Sequence, residues 1–443
     1  MSLSQPAHAD RTGLKNPPVG LALLGCGTVG SGVAQLLLDR ATDVGARGTR
    51  RIALIGIAVL SLEKQRPEAI PRRLLTDDAA GLVADSRVGV VVECIGGLGV
   101  ARRLVEQALR SGKHVVTANK DLLATDGPSL RALAAAHGVT IAYEAAVGGA
   151  IPIVRTLLEA LAGERILEVG GVLNGTTNYI LDRMFAGASY AHALAAAQSH
   201  GFAEADPTND VDGVDAAHKL AILAQLAFRR AVTTRDIPRA GIRTLPRDDV
   251  SLARRLGLTL KLIAVARDGE AVVTPAFVAR EHPFAQPTGA HNCIRVIGGS
   301  AGSLTFAGAG AGSEPTASAV IADIIATLRA FSGDTIRALD DPLQTGPPIA
   351  RLALRAVVRL HSFRDARPAR EALANAGVDA ALLDGVPAIL TASAASEPDR
   401  IAAVLDAAGI GAESVIPLWE DDSPRPESSS NALTFDSAIA QPA

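Results

Sequence analysis

The chain has few cysteines, and none of them is arranged as a redox pair or as a set of metal ligands. Its 443 residues include only Cys26, Cys94 and Cys293, and no two are spaced as Cys-x-x-Cys. Cys26 and Cys94 lie in or beside apolar runs. Isolated thiols of this kind indicate small buried side chains in a reducing compartment, and they disfavour a disulfide framework or a zinc site.

Neither sign of charge predominates, and no segment is apolar enough to span a bilayer. There are 43 Lys and Arg residues against 46 Asp and Glu residues, a net charge of -3, which gives no field for nucleic acid or acidic membranes. The polar first 18 residues lack the apolar core of a signal peptide, and no later run reaches about 20 apolar residues. We therefore expect a cytoplasmic protein that binds neither nucleic acid nor membranes.

What the sequence does have is length and apolar content. Hydrophobic residues make up 48% of the chain, and a chain of this length is expected to form two or three domains. Residues 1–18 and 422–443 are polar or rich in proline and serine, which predicts two disordered tails.

A glycine-rich turn follows the first apolar run. Residues 19–24 are apolar, and 25–30 read Gly-Cys-Gly-Thr-Val-Gly before a helical pattern begins. Gly-x-Gly-x-x-Gly between a strand and a helix predicts a dinucleotide site. Gly25 permits the tight turn, Gly27 lets the pyrophosphate approach the backbone, and Gly30 lets the helix pack closely on the strand. The N-terminus of the helix provides N–H groups for the phosphates.

Predicted strands and helices alternate over the rest of the first third of the chain. The strands are expected at 51–60, 88–95, 113–117 and 139–146, and the helices at 98–110 and 121–137. This alternation predicts a doubly wound parallel sheet, whose ligands bind beyond the carboxyl ends of the strands.

The second strand ends without the acidic residue that often holds the ribose 2'-hydroxyl of NAD. It ends at Leu60, the first acid is Glu63, and Lys64 and Arg66 follow. These bases favour NADP, because they can meet its 2'-phosphate. A solvated basic loop is the alternative reading, so NAD stays open.

A dense polar block lies in the middle of the chain. Its acidic residues are Glu204, Asp206, Asp210, Asp212 and Asp215. Asp215 and Lys219 are four residues apart, which places them on one helical face, although an ordinary surface ion pair has the same spacing. The spacing does not fit an EF-hand calcium loop. A carbonyl reduction needs a general acid, which a lysine can supply, and carboxylates can bind an ammonium group. The block therefore favours an amino-acid alcohol as substrate.

Taken together, these motifs resemble homoserine dehydrogenase. The matching segments follow one another along 19–328, at 25–30, 117–120, 143–152, 174–179, 204–219 and 308–320. The resemblance implies an NAD(P)-dependent oxidoreductase that interconverts L-homoserine and L-aspartate 4-semialdehyde, on the branch that leads to threonine, methionine and isoleucine. It also implies a homodimer, and the chain is expected to act without a fused aspartate kinase.

The resemblance further implies the site residues. Lys219 is the expected proton donor to the carbonyl oxygen, and Lys120 is expected beside the nicotinamide and the substrate. The residues that match the substrate site are Glu204, Asp210, Asp215, Gly175 and Thr176. Those that match cofactor contacts are Gly25, Gly27, Thr28, Val29, Gly30, Lys120 and Gly310. A site for sodium or potassium, built largely from backbone carbonyls, matches Glu144, Val147, Gly149 and Ile151, and an empty glycine-rich strand end is the alternative.

Three positions depart from the family pattern. Phe202 stands where the family usually has tyrosine, so a hydroxyl contact is lost, and Ala309 replaces a proline of the late glycine loop. Leu60 replaces the basic residue often found at the end of the second strand, which weakens the preference for NADP.

Beyond a linker at 341–348, the pattern changes to strand, helix, two strands, helix and strand. The strands are expected at 352–360, 378–383, 388–392 and 414–419, and the helices at 368–376 and 398–408. This order predicts a ferredoxin-like fold, and it resembles the ACT domain of some homoserine dehydrogenases. The family's ligand turn is absent from 361–365. Dimerisation is therefore as open a role for this module as threonine sensing.

We thus predict an α/β protein made of three domains. They are a Rossmann-type dinucleotide-binding domain at 19–147 completed by 307–335, an α+β catalytic and dimerisation domain at 148–306, and an ACT-like domain at 349–421.

Other functions remain to be weighed. A phosphorylating semialdehyde dehydrogenase needs a nucleophilic cysteine, for which Cys94 and Cys293 lack an evident basic partner. A non-catalytic nucleotide-binding regulator would not need Lys120 and Lys219. A dehydrogenase of amines is harder to exclude by residue type.

Overall fold

The computed structural model describes residues 17–331, 343, 346–391 and 397–420. The predicted tails lie outside these residues, except for 17 and 18, as do the end of the segment at 307–335 and half of the linker. Contacts divide the chain into two compact units. Unit 1 comprises Met1–Glu164, His218–Thr234 and Gly308–Pro347, and unit 2 comprises Arg165–Ala217, Arg235–Ala307 and Pro348–Ala443.

Unit 1 contains a six-stranded sheet in the order β3-β2-β1-β4-β5-β6, with every neighbouring pair parallel. Its strands are β1 Val19–Leu24, β2 Ile52–Ala58, β3 Leu75–Thr76, β4 Val88–Glu93, β5 His114–Thr117 and β6 Ile141–Ala142. Its first helices are α1 Thr28–Arg47, α2 Ala79–Ala84, α3 Gly99–Arg110 and α4 Lys120–Ala136. The strand β1 is buried throughout, as expected for a parallel sheet covered on both faces. The predicted doubly wound sheet is confirmed.

The last predicted strand of unit 1 is much shorter than expected. Only β6 of the range 139–146 pairs with the sheet, and Glu144–Ala146 forms a 3-10 turn. The backbone N–H of Glu144 donates to the buried carboxylate of Asp323 at 2.8 Å. Because this carboxylate takes the donor that a strand would use, the chain leaves the sheet here.

Unit 2 is built on a ten-stranded mixed sheet in the order β11-β10-β7-β8-β9-β16-β13-β15-β14, with β12 beside β9. The strands of its first half are β7 Ile166–Val172, β8 Leu258–Arg267, β9 Glu270–Ala279, β10 His291–Gly298 and β11 Gly302–Ala309. The helices between them are α5 Gly175–Phe185, α6 Tyr190–Ser199, α7 Thr208–Val211, α8 Val214–Phe228 and α9 Arg247–Arg255. The helix α8 begins in unit 2, and its residues from 218 onward belong to unit 1, as does α10 Ser313–Ala330.

Apart from an additional short strand at 350–351, the C-terminal segment has the predicted order of elements. They are β12 Ala350–Arg351, β13 Arg355–Leu360, α11 Ala366–Asn375, β14 Ala380–Leu382, β15 Ala388–Thr391, α12 Pro398–Ala407 and β16 Ala412–Trp419. The order β16-β13-β15-β14, antiparallel throughout, is the ferredoxin-like arrangement.

The sheet of this segment is continuous with that of the first half of unit 2. The strand β16 pairs in parallel with β9, with Leu418 beside Phe277 and Trp419 beside Val278. The Trp419 side chain is buried and stacks on Phe284 with ring centroids 5.7 Å apart. A strand pair and a shared aromatic core therefore join the C-terminal segment to the first half of unit 2.

None of the helices in the described ranges has the length and apolar character that a bilayer crossing requires.

Candidate active site

The turn after β1 has a shape that only glycine permits. Gly25 has a φ of +96°, and a Cβ placed on it would lie 2.6 Å from the carbonyl oxygen of Cys94. A Cβ on Gly30 would lie 2.1 Å from the carbonyl oxygen of Gly25. A Cβ on Gly27 would meet no atom within 4 Å, so the backbone at the N-terminus of α1 faces open space. This cradle fits a dinucleotide pyrophosphate.

The late glycine loop returns to the same turn. It leads into α10, whose first residue, Ser313, donates its hydroxyl to the carbonyl oxygen of Thr28 at 2.7 Å. Gly312 has a φ of +122°, and Gly310 lies two residues before it. Thr28 and Val29 open α1. The predicted cofactor contacts at 25–30 and 310 thus belong to one region of unit 1.

The loop after β2 carries basic side chains and an exposed leucine. Leu60 is fully exposed. The guanidinium of Arg66 donates to the carbonyl oxygens of Ser61 and Lys64, both at 2.8 Å, and therefore holds the loop in a closed turn. Glu63, the first acid after β2, lies 3.9 Å from Arg72 in an exposed ion pair.

Lys120 and Lys219 lie in two helices that pack against each other in unit 1. Lys120 is the first residue of α4, and Lys219 is buried in α8. The residues next to them are in contact, with His218 Nδ1 2.9 Å from Asp121 Oδ1. Two turns further along α4, a Cβ on Gly127 would lie 3.4 Å from the Oε1 atom of Gln225 in α8. The structure therefore brings together the two helix segments that carry the predicted lysines.

Asn174 links the predicted substrate residues of unit 2. Its Oδ1 accepts from Thr177 N at 2.8 Å and so caps α5, which starts at Gly175. Its Nδ2 donates to Asp210 Oδ1 at 2.7 Å and to Asp215 Oδ2 at 2.9 Å. Two of the three predicted substrate acids therefore meet at the start of α5, and Asp215 lies one helical turn before Lys219 in α8.

The loop before α7 carries the third predicted acid. Thr176 donates its hydroxyl to the carbonyl oxygen of Phe202 at 2.6 Å. Phe202 lies against Tyr179, with ring centroids 5.1 Å apart. Glu204 is exposed, and its carbonyl oxygen accepts from Gln198 Nε2 at 3.1 Å. The structure thus ties this loop to α5 and α6 through backbone oxygens, and the carboxylate of Glu204 extends to the surface.

Asp212 and Asp206 of the acidic block have structural partners. Asp212 forms an ion pair with Arg243 at 2.9 Å. Thr208 donates both its N–H and its hydroxyl to Asp206, which lowers the pKa of that carboxyl. These two acids shape the loop around α7.

The predicted cation-site segment is a tight glycine turn. Gly148 and Gly149 have φ values of +74° and +58°. A Cβ on Gly149 would lie 2.7 Å from the carbonyl oxygen of Ala309 and 2.9 Å from that of Gly310. Only glycine leaves room beside these two oxygens. The Ile151 N–H donates back to the Gly148 carbonyl at 3.0 Å, which closes the turn.

Glu144 and Asp323 form a buried acidic pair next to this turn. The carboxylate of Glu144 accepts from the N–H groups of Val154 and Arg155 at 2.8 and 2.9 Å. Burial and the neighbouring Glu144 raise the pKa of Asp323 to about 8. The side chain of Glu144 is therefore engaged by the chain itself, and Val147 at the end of the turn is fully buried.

The cysteines are free, and two of them are poor nucleophiles. Burial raises the pKa of Cys293 to about 11, and burial together with Glu93 raises the pKa of Cys94 still further. A catalytic thiol needs a lowered pKa, so the phosphorylating semialdehyde dehydrogenase alternative fits poorly. Within the described residues, no three His, Cys, Asp or Glu side chains are grouped as metal ligands.

Sequence reasoning missed several residues that organise the site. Asn174 and Asn119 each precede a helix, a common N-cap signal, but neither was assigned a role. Glu93 is a charged residue at the end of an apolar run, which marks a buried carboxylate. The contact of His218 with Asp121 had no sequence signal, because the two helices are distant along the chain.

The chain is similar to known proteins over most of its length. A family model described as homoserine dehydrogenase, NAD binding domain, matches residues 25–144, and one described as homoserine dehydrogenase matches residues 152–325. A homoserine dehydrogenase of Synechocystis is 43% identical over 334 residues, which cover 73% of this chain and 77% of the relative. One of Mycobacterium tuberculosis strain H37Rv is 46% identical over 322 residues, which cover 70% of this chain and 73% of the relative.

Solved structures of homoserine dehydrogenases are also similar to this chain. The crystal structure of a homoserine dehydrogenase from Thiobacillus denitrificans has a TM-score of 0.83 and 36% identity, and the match covers 91% of this chain and 99% of that one. A hyperthermophilic archaeal homoserine dehydrogenase in complex with NADPH has a TM-score of 0.61 and 25% identity over 74% of this chain and all of that one. Sequence and fold thus agree: the chain belongs to the homoserine dehydrogenase family and is an oxidoreductase that acts on a CH–OH group with a nicotinamide cofactor.

Proposed function

We propose that the chain interconverts L-homoserine and L-aspartate 4-semialdehyde, with Lys219 as the group that exchanges a proton with the substrate oxygen. When bound, the nicotinamide gives or accepts the hydride, and the protein supplies placement and proton transfer. Lys120 lies beside the same centre and helps to orient the substrate. This reaction serves the biosynthesis of threonine, methionine and isoleucine.

The observation that carries the proposal is the contact between α4 and α8. The pair of His218 with Asp121 holds the start of α4 against the segment of α8 that contains Lys219. Lys219 is 7% exposed, so its ammonium group is shielded from bulk water and suited to donate a proton at one defined place. During reduction it protonates the carbonyl oxygen, and during oxidation the neutral amine accepts the hydroxyl proton.

Replacing Lys219 by alanine tests this role. We expect Lys219→Ala to lower kcat by about 10²- to 10⁴-fold, the usual contribution of a general acid, while NADPH still binds. Turnover is measured as absorbance of reduced nicotinamide formed from L-homoserine, with serine and threonine as substrate controls. Arg103→Ala, an exposed change in α3, should behave like the unchanged enzyme. Unchanged turnover by Lys219→Ala would contradict the assignment.

Three acids and the start of α5 are proposed to bind the amino acid. Asp210 and Asp215 are held together by Asn174, and with Glu204 they can attract the substrate ammonium group. Gly175 and Thr176 begin α5, so their N–H groups suit the substrate carboxylate. Asp210→Asn should raise the KM for homoserine and leave the Kd for NADPH unchanged. An equal rise in both constants would contradict a substrate role.

We further propose NADP as the preferred cofactor, bound through Gly25, Gly27, Thr28, Val29, Gly30, Lys120 and Gly310. Support comes from the loop after β2, where Lys64 and Arg66 follow an exposed leucine and Glu63 is engaged with Arg72. The double change Lys64→Ala with Arg66→Ala should lower kcat/KM for NADPH and spare kcat/KM for NADH. Equal losses with both cofactors would argue against a 2'-phosphate site.

A sodium or potassium ion is proposed at Glu144, Val147, Gly149 and Ile151. Support comes from the close approach of Gly149 to the carbonyl oxygens of Ala309 and Gly310, because hard cations bind carbonyl oxygens. Exchanging KCl or NaCl for choline chloride at constant ionic strength should lower the thermal unfolding midpoint. Identical midpoints in all three salts would contradict the site.

Domains, assembly and location complete the proposal. We propose a dinucleotide-binding domain at 19–147 completed from 307, a catalytic domain at 148–306, and an ACT-like module at 349–421 that senses threonine or contributes to a homodimer. Support comes from the ferredoxin-like strand order. Light scattering with and without threonine, together with inhibition assays, separates the two roles. We propose a cytoplasmic location, which cell fractionation tests.

A further inference from the structure

Glu93 is a buried acid that the proposed reaction does not use. It is the last residue of β4, and its side chain is 0% exposed. Its Oε1 accepts from the N–H groups of Ile95 at 2.8 Å and Gly96 at 3.0 Å. Its Oε2 accepts from the hydroxyl of Thr117 at 2.5 Å. Since an unpaired carboxylate inside a protein is costly, these three fixed donors make the carboxylate tolerable there.

The network continues to the start of α4. Thr117 is the last residue of β5 and lies beside Glu93 in the parallel pair. Its hydroxyl oxygen accepts from Asn119 N at 3.0 Å. Asn119 caps α4 by accepting from Leu122 N at 3.1 Å, and its Nδ2 donates to the carbonyl oxygen of Gly97 at 2.7 Å. The turn after β4 and the turn after β5 are therefore closed into one ring of hydrogen bonds.

Both turns lie at the carboxyl ends of neighbouring strands, where parallel sheets bind their ligands. Gly96 and Gly97 have φ values of +81° and +67°, and a Cβ on either would meet no atom within 4 Å. Their backbone therefore faces open space. Lys120 follows the capping residue directly and opens α4.

We propose that Glu93 is a positioning residue for hydride transfer: it fixes the two backbone turns that receive the nicotinamide end of the cofactor and sets the start of the helix that carries Lys120. The inference rests on the proposed roles of Lys120 and the cofactor site. A carboxylate suits the task, because both of its oxygens accept hydrogen bonds from any direction on the two turns, whereas an amide offers one oxygen.

The test uses Glu93→Gln, Thr117→Val and the double variant of the full chain. Glu159→Gln, an exposed change in the same unit, is the matched control. Measurements are the Kd of NADPH from its fluorescence, steady-state kcat and KM, and amide hydrogen exchange at 95–98 and 119–122 without cofactor. We expect Glu93→Gln to weaken NADPH binding about tenfold, the equivalent of one hydrogen bond to a charged group. Exchange should accelerate in both turns.

In the double variant the effects of Glu93→Gln and Thr117→Val should be less than additive, because both changes act on the bond between these two side chains, although Thr117→Val also removes the acceptor for Asn119 N. A lower unfolding midpoint with unchanged Kd, kcat and exchange in the two turns would mean a purely structural role and would overturn the inference. Failure of the proposed function can be distinguished from this outcome. The proposed function fails if Lys219→Ala retains turnover, whereas the hydrogen exchange of Glu93→Gln does not depend on turnover.

Discussion

The two units hold their functional residues in opposite ways. In unit 1 the cradle at 25–30 is made of backbone, and its geometry depends on the absence of side chains at Gly25 and Gly30. In unit 2 the start of α5 is held by polar side chains, because its capping residue Asn174 donates to Asp210 and Asp215 from distant parts of the chain. The cradle of unit 1 should therefore be damaged by adding a methyl group, and the surroundings of α5 in unit 2 by removing a polar atom.

The largest effect is expected in unit 2, at the buried ammonium group of Lys261. It donates to Asn178 Oδ1 at 2.6 Å, Asp182 Oδ1 at 2.9 Å and the carbonyl oxygen of Pro287 at 2.8 Å. Asp182→Ala leaves this cation buried without its anion, which should lower the free energy of unfolding by about 3–5 kcal/mol. Urea unfolding followed by the fluorescence of Trp419, the single tryptophan, measures this loss.

The same variant should depend on pH in a defined direction. Burial lowers the pKa of Lys261, and Asp182 opposes that shift. Without Asp182 the folded state binds fewer protons than the unfolded state up to the ordinary lysine pKa, so the stability deficit should shrink as pH rises from 7 to 10. Asp406→Ala, an exposed change in α12, is the control. If Asp182→Ala lowered the free energy of unfolding by less than about 1 kcal/mol, the proposed contrast between the units would not hold.

Next in size is the effect of one methyl group in unit 1. Gly30→Ala places a Cβ 2.1 Å from the carbonyl oxygen of Gly25, so α1 must move away from β1. We expect a loss of about 1–3 kcal/mol, as for overpacked interiors, together with weaker NADPH binding. Circular dichroism during urea unfolding measures the loss. Gly163→Ala, where a Cβ meets nothing within 4 Å, is the control and should leave the free energy of unfolding unchanged. Equal stabilities of the two variants would refute the claim that the cradle depends on the missing side chain of Gly30.

A smaller effect is expected at Asn174, where stability and binding can be separated. Asn174→Ala loses the cap of α5, which costs about 1 kcal/mol, and also loses the amide that joins Asp210 to Asp215. Asn174→Ser keeps a capping oxygen but has no amide. It should recover most of the stability while the KM for homoserine stays raised. Recovery of both quantities by serine would mean that the amide has no part in substrate binding.

The smallest change in stability is expected at Gly27, and it sharpens the comparison most. A Cβ there meets no atom within 4 Å, so Gly27→Ala should change the free energy of unfolding by less than about 0.5 kcal/mol. Its methyl group would instead occupy the space proposed for the pyrophosphate, so the Kd of NADPH should rise. Calorimetric titration with NADPH decides this, and normal binding would place the pyrophosphate elsewhere.

Much of unit 1 could be predicted from the sequence, because its signals are local. The glycine spacing at 25–30, the apolar run of β4 and the alternation of elements gave the parallel sheet with errors of a few residues. There are two exceptions. The short elements β3 and α2 were not predicted, and at 139–146 the buried Asp323, far along the chain, takes a backbone donor and ends the strand early. Periodicity carries no information about such a partner.

The sequence by itself determined the fold class, the dinucleotide turn and the helical spacing of Asp215 and Lys219, since each depends on neighbours within about one turn or one strand. Only the tertiary structure decided that β16 joins β9 and buries Trp419, that Asn174 links two acids, and that Glu93 closes two turns. These contacts join segments separated by tens or hundreds of residues. They form because buried polar groups must find partners and apolar faces must be covered, and the identity of each partner is set by the packing of the whole chain.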